Sequence, residues 1–159
     1  MLEYIKKFFD VTDKDPSQIG PLKLAYLGDS VYEMIIRTTL MDTGERSVKK
    51  MNKDAHELVN ATAQAEVARI LVPLLNDEEK SVFKRGRNAK SNSVSKHSNI
   101  QDYRVATGLE AVFGYWYLTD QMERALSLFY FACMELKLEE VTRLKEKEAA
   151  SKKTSKKSQ

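Results

Sequence analysis

The sequence predicts an all-α domain, on three observations. Apolar residues recur at three- and four-residue intervals through most of residues 1–138, the period of an amphipathic helix. No segment shows sustained alternation of apolar and polar residues, the period of a half-buried strand. The stretches between periodic runs carry residues that start or stop helices, such as Asp15-Pro16, Ser47, Asn76 and Thr119-Asp120. No internal repeat or domain boundary interrupts residues 1–138, and a charged tail occupies 139–159.

Residues 2–9 form a short amphipathic helix with Leu2, Ile5, Phe8 and Phe9 on one side. Asp10 to Asp15 is a polar connector. Asp15 and Pro16 suit an N-cap and a first helical position, and Ile19-Gly20-Pro21 either breaks or delays the helix that follows. From Leu22 to Met41 the pattern is helical, with Leu24, Leu27, Val31, Met34 or Ile35, and Thr38 on one stripe. The run is apolar beyond that stripe, which predicts a central helix buried on several sides. Asp42-Thr43-Gly44-Glu45 is a turn. Ser47 can cap a helix carrying Val48, Met51, Ala55, Leu58 and Val59, which continues, with or without a kink near Asn60, to Leu74. Asn76 caps the next, whose first-turn acids Asp77, Glu78 and Glu79 complement the helix dipole and which ends near Asn88. Ala89 to Asn99, with four serines and two asparagines, reads as a loop. A second central helix runs from Ile100 or Gln101 to Leu118. A last amphipathic helix carries Met122, Ala125, Leu126, Phe129, Tyr130, Cys133, Met134 and Leu136. Beyond Glu139 the sequence is charged, and after Ala150 it contains only Ser, Thr, Lys and Gln, which predicts disorder.

With 159 residues the chain can bury a sizeable core. No apolar run reaches the eighteen residues of a membrane span, and the charged N-terminus does not suit a signal peptide. Cys133 is the only cysteine, which excludes an intramolecular disulfide and makes a reducing cytoplasm the expected compartment. Of the 26 basic residues, Lys152, Lys153, Lys156 and Lys157 sit in residues 149–159 with no acid, and removing these four leaves 22 against 23 acids. A nucleic-acid surface must therefore be local. Residues 84–96 supply one, with Lys84, Arg85, Arg87, Lys90 and Lys96 and no acid among them.

Two apolar helices each carry one acid that invites explanation. Asp29 follows Gly28 on the first central helix, on the face of Ala25 and Glu33. Glu110 lies among Thr107, Gly108, Ala111 and Gly114 on the second. Taken singly, each reads as structural: a hydrogen-bonded buried aspartate, and a glutamate beside a close helix contact. Together, two carboxylates on greasy helices are accounted for by a shared metal ion, because an unpaired buried charge is costly.

The two stretches also carry a resemblance. Leu24-Ala25-Tyr26-Leu27-Gly28-Asp29-Ser30-Val31-Tyr32-Glu33 resembles the signature helix of the ribonuclease III family of double-stranded-RNA endonucleases. Thr107-Gly108-Leu109-Glu110-Ala111-Val112-Phe113-Gly114-Tyr115-Trp116-Tyr117-Leu118 resembles that family's second acidic helix. Order and separation agree, over roughly residues 16–136. Family members typically carry further acids where this chain has Ala25 and Thr107, and bacterial members append a double-stranded-RNA-binding domain for which this chain ends too early. Both departures are similar to the compact subgroup Mini-ribonuclease III, the catalytic domain alone. Phe83-Lys84-Arg85-Gly86-Arg87-Asn88-Ala89-Lys90-Ser91 and Gln101-Asp102-Tyr103-Arg104 resemble that subgroup as well.

The resemblance implies a ribonuclease III-like helical fold and a cytoplasmic, Mg²⁺-dependent homodimeric endonuclease, with Mn²⁺ able to substitute. It implies cleavage of double-stranded RNA, in maturation of the 23S ribosomal RNA precursor, to 5′-phosphate and 3′-hydroxyl ends. Asp29 and Glu110 would be catalytic and metal-binding, with Glu33 and Asp102 assisting through water. Lys84, Arg85, Arg87, Asn88 and Lys90 would hold RNA phosphates. Gln64 and Glu66 lie on a helix that could face the site. Tyr26, Phe113, Tyr115, Trp116 and Tyr117 suit either a dimer seam or the core. The acids missing at Ala25 and Thr107 keep open an alternative, a non-catalytic double-stranded-RNA-binding module of the same fold. A helical adaptor with no RNA role is the other rival, against which the basic segment argues.

Overall fold

Two long helices cross at the centre, and the rest of the chain is laid around them. The computed structural model describes residues 1–41, 47–89 and 99–142. Within these, every regular element is helical: α1 (Leu2–Phe9), a 3-10 turn (Pro16–Gln18), α2 (Pro21–Met41), α3 (Val48–Val59), α4 (Ala61–Leu71), a second 3-10 turn (Val72–Leu74), α5 (Asp77–Asn88), α6 (Ile100–Leu118), α7 (Met122–Glu135) and α8 (Glu139–Thr142). The fold is all-α, as the periodicity predicts.

Local chemistry sets most boundaries. Asp15 caps the first 3-10 turn by accepting from the Ser17 N–H at 2.9 Å, and Gly20-Pro21 separates that turn from α2. Asn60 divides α3 from α4: its extended backbone breaks the helix and its Oδ1 accepts from the Ala63 N–H at 3.0 Å. Asn76 opens α5 with a reciprocal capping box, accepting from the Glu79 N–H while Glu79 accepts from the Asn76 N–H. The charged segment expected from residue 139 begins as one more helical turn, α8, packed on α2 and α7 with Thr142 buried. The turn at 42–45, most of the 89–99 loop and residues 143–159 lie outside the described residues.

α2 buries Leu24, Ala25, Gly28, Val31, Tyr32, Ile35, Ile36 and Leu40. The expected stripe is buried at Leu24, Val31 and Ile35, with Leu27 packed against the core; of the Met34–Ile35 alternatives the fold buries Ile35, and Thr38 faces solvent. Burial of Tyr32, Ile36 and Leu40 as well makes α2 a helix covered on several sides, as its apolar excess predicts. α6 is buried along most of its length, from Ala106 to Tyr117 with Glu110 the one exception. Tyr32, Phe113, Trp116 and Phe129 pack edge to face, with ring centroids 5.1–6.0 Å apart. Phe113, Tyr115, Trp116 and Tyr117 are therefore core, whereas Tyr26 is 82% exposed. The apolar stripe of α1 is also left open, with Phe8 and Phe9 exposed.

Glu79 is more than a first-turn acid. It is fully buried and accepts from Arg124 Nε at 2.6 Å, Arg124 Nη2 at 2.8 Å and Trp116 Nε1 at 2.7 Å. Burial works to raise its pKa, but the hydrogen bonds from Arg124, Trp116 and the Asn76 backbone, with the Arg124 charge, hold it below the usual 4.5. A lowered folded-state pKa contributes stability above the unfolded-state value, lost as pH falls through the folded one. Arg124→Ala strands this carboxylate and is expected to cost about 2 kcal/mol at pH 7, less than a dry pair because water reaches Arg124. The cost should shrink in acid as Glu79 protonates; denaturant melts at pH 7 and pH 3 check both statements.

Candidate active site

The site is built by a crossing of backbones. A Cβ at Gly28 would overlap the Glu110 carbonyl oxygen and lie 2.6 Å from the Gly114 nitrogen; one at Gly114 would overlap the Leu24 carbonyl oxygen. Glycine at both positions lets α2 and α6 touch main chain to main chain. That contact sets Asp29, the residue after Gly28, beside Glu110.

Asp29 is exposed and Glu110 half-buried. Burial, and secondarily the Asp29 charge, push the Glu110 carboxyl up to about 8, partly offset by a side-chain hydrogen bond with Gln64. Burial raises Asp29 as well, with the Glu33 charge adding to it. Two neighbouring carboxylates held above their usual range, Glu110 by burial and the Asp29 charge and Asp29 by burial and the Glu33 charge, are arranged to share a positive charge.

The neighbours divide into those the site uses and those spent elsewhere. Glu33 accepts from Arg37 Nε at 2.8 Å and Nη2 at 2.6 Å, and Arg37 reaches Asn52 Oδ1 at 3.0 Å, which ties α2 to α3. Asp102 lies two turns before Glu110 and is buried against Arg69 at 2.5 Å. Thr107 donates its hydroxyl to the Tyr103 carbonyl of its own helix at 2.9 Å, and Ala25 is buried. Neither position supplies a carboxylate to the site. Glu66 faces solvent, whereas Gln64, also on α4, is buried against Glu110. Its Oε1 has no hydrogen-bond partner.

Among the described residues, no three His, Cys, Asp or Glu side chains group to hold a metal. The donors present are nonetheless oxygens only: two repelling carboxylates and an orphaned buried amide oxygen. That set fits Mg²⁺ or Mn²⁺, hard cations of which Mg²⁺ commonly keeps several waters and needs one or two carboxylates. It suits zinc less well, because zinc sites are built around Cys and His, with carboxylate oxygen as an additional ligand, and the set here holds neither Cys nor His.

The basic segment lies close by. A Cβ at Gly86 of α5 would stand 2.8 Å from Ala111 Cβ, 3.0 Å from Gly108 Cα and 3.0 Å from the Thr107 carbonyl oxygen. α5 therefore presses on the turn of α6 that carries Glu110. Lys84, Arg87 and Asn88 are exposed; Arg87 donates to Asn88 Oδ1 at 3.2 Å and lies 6.0 Å from the Phe83 ring centre. Arg85 is half-buried and donates to the Ser17 carbonyl at 3.0 Å and to the Ile19 carbonyl at 3.4 Å, so part of its donor capacity braces the segment before α2. Lys90 and Lys96 lie outside the described residues. Spacing alone assigns Gln64 no role. Its signal, a lone amide in the apolar run of α4, has no meaning until α4 is laid against α6.

Residues 22–121 match the Ribonuclease III domain family. A protein named Mini-ribonuclease 3 from Clostridium tetani is 46% identical over 124 residues, covering 76% of this chain and 82% of its own. Another of that name, from Enterococcus faecalis, is 41% identical over 113 residues, covering 70% and 86%. A crystal structure of a Fusobacterium nucleatum protein superposes with a TM-score of 0.69 at 29% identity, over 77% of this chain and 98% of that one. The matched span contains α2 and α6 with both acids, and the chain belongs to the ribonuclease III family, in its Mini-ribonuclease III subgroup.

Proposed function

We propose that this protein is a metal-dependent endoribonuclease that cleaves double-stranded RNA. The observation that carries the reading is the Asp29–Glu110 pair, fixed by the Gly28–Gly114 crossing and held above the usual carboxylate range. Asp29 and Glu110 are the residues that hold Mg²⁺, with Mn²⁺ as a substitute. When bound, the cation supplies Lewis acidity at the scissile phosphate. Glu110, the more buried acid, must lose its proton before it can serve as a ligand. Lys84, Arg87, Asn88 and Lys90 take phosphate oxygens of the duplex, and Arg85 adds whatever donors it does not spend on Ser17 and Ile19. Such contacts read the shape of an A-form duplex rather than its sequence.

The products carry 5′-phosphate and 3′-hydroxyl ends, and the natural substrate is the large-subunit ribosomal RNA precursor, in the cytoplasm. The working unit is a homodimer, each subunit cutting one strand. Tyr26 with Leu22, one turn apart and exposed on α2, is the apolar surface offered to a partner subunit.

The test is cleavage of a long end-labelled duplex in Mg²⁺ or EDTA, with binding measured across salt. Cutting in Mg²⁺ alone is expected. Lys84→Ala with Arg87→Ala should weaken binding about tenfold at moderate salt and lower the slope of log affinity against log salt by about 2, one per lost phosphate contact. Duplex binding without cutting would support the non-catalytic module instead; no binding even at low salt would sink both.

A further inference from the structure

Gln64 presents a buried polar atom that the fold leaves unsatisfied. The residue is 1% exposed, in the first turns of α4. Its Nε2 donates to the carbonyl of Val59, the last residue of α3, at 3.1 Å. That bond fixes the amide's orientation, since a flipped amide would set two oxygens against each other. The side chain also reaches the Glu110 carboxylate. The Oε1 is left with no donor, and among the described residues it is the only buried side-chain nitrogen or oxygen in that condition. Its helix neighbours Ala65, Val67 and Ala68 are buried and apolar, so they offer no side-chain donor. Buried acceptors are almost always paired, so an orphan next to a candidate centre asks for a partner that arrives with a ligand.

The chemistry of the site names that partner. Ala25 and Thr107 give no carboxylate, and Thr107 has spent its hydroxyl on Tyr103. A Mg²⁺ ion held by two carboxylates keeps waters in its remaining positions, and each such water is a strong donor that needs an acceptor. We propose that Gln64 is a positioning residue of this centre, its Oε1 accepting a hydrogen bond from a water of the cation's hydration shell beside Glu110. The inference rests on the reading of Asp29 and Glu110 as the metal-holding pair. Gln64 then does from outside the carboxylate pair part of what a third acid would do within it.

The experiment measures metal binding directly. Free Mn²⁺ is titrated by electron paramagnetic resonance into metal-free wild type, Gln64→Leu, Gln64→Glu and Asp29→Asn, well below each melting temperature. Gln64→Leu keeps the bulk and removes both polar atoms; it should weaken Mn²⁺ binding about 10- to 100-fold, the usual effect of losing an outer partner of a metal site. The Mg²⁺ concentration for half-maximal cleavage should rise by a similar factor, with the rate at saturating Mg²⁺ close to wild type. Gln64→Glu keeps an oxygen facing the centre and should bind Mn²⁺ at least as tightly as wild type. Wild-type affinity in Gln64→Leu overturns the proposal. So does a loss in Gln64→Glu, which would reduce Gln64 to a brace acting through Nε2. If Gln64→Leu does not fold, Gln64→Glu decides alone. Mn²⁺ binding unaffected by Asp29→Asn would instead overturn the metal-holding pair itself, and this inference with it.

Discussion

Asp29→Asn is expected to lower kcat/KM on duplex RNA about 1,000-fold or more, and Glu110→Gln to do the same, while neither lowers the stability of the metal-free protein. A loss of that size corresponds to about 4 kcal/mol of transition-state stabilisation, in the range seen when one preorganised charge or donor is removed from a reacting phosphate or carbonyl. Stability moves the other way because the pair is strained in the absence of a cation. The Glu110 carboxyl rises from 4.5 to about 8 on folding, so the folded state binds a proton that the unfolded state releases. Stability therefore falls as pH rises from 4.5 towards 8 and stays reduced above it. Glu110→Gln removes that penalty. At pH 9 in EDTA it should melt about 5 °C or more above wild type, for a difference of roughly 2–3 kcal/mol, and at pH 4 the difference should vanish. Mg²⁺ should raise the wild-type melting temperature at pH 9 and leave Glu110→Gln unmoved. Paired melts with and without Mg²⁺ check both signs. A Glu110→Gln variant less stable than wild type at pH 9 in EDTA would mean that Glu110 is a structural acid.

Gly28→Ala should cost more than about 3 kcal/mol and remove activity with it. The added methyl meets backbone on every near side: the Glu110 carbonyl oxygen, the Gly114 nitrogen at 2.6 Å and the Glu110 carbonyl carbon at 2.7 Å. No side-chain rotation relieves such a contact, so α2 and α6 must separate and the aromatic cluster behind them loses its packing. Alanine's better helix propensity returns about 1 kcal/mol at most, too little to change the sign. Any molecule that still folds carries Asp29 displaced from Glu110. Gly114→Ala should behave alike, since its methyl meets Leu24 main chain. Gly20→Ala is the control: nothing lies within 4 Å of its added methyl, and the change should stay within about 1 kcal/mol. Denaturant midpoints of the three variants separate a packing effect from a general intolerance of alanine.

The helices were legible because a helix is held by contacts three and four residues apart, which sequence spacing reports directly. Asn76 could be named as a cap, and Asn60 as a possible break, from residue type and position alone. On α2 spacing placed Leu24, Leu27 and Val31 against the core but left Met34 and Ile35 as alternatives and put Thr38 on the stripe, because spacing shows which residues can share a face but not how the neighbouring helices cover it; packing chose Ile35 and left Thr38 in solvent. The aromatics divided the same way: spacing left core and seam open for Tyr26 of α2 and for Phe113, Tyr115, Trp116 and Tyr117 of α6, and burial assigned the four of α6 to the core and left Tyr26 outside.

By itself the sequence determined the all-α class, the two acidic helices and the two acids on them, together with the basic end of α5. Only the tertiary structure decided which charged groups meet. Glu79 and Arg124 are 45 residues apart in sequence, and Asp102 and Arg69 are 33 apart. Gln64 joined the site only when α4 packed against α6. Such pairings depend on where whole helices lie relative to one another. That is fixed by close packing summed over many contacts distant in sequence, and no local period records it.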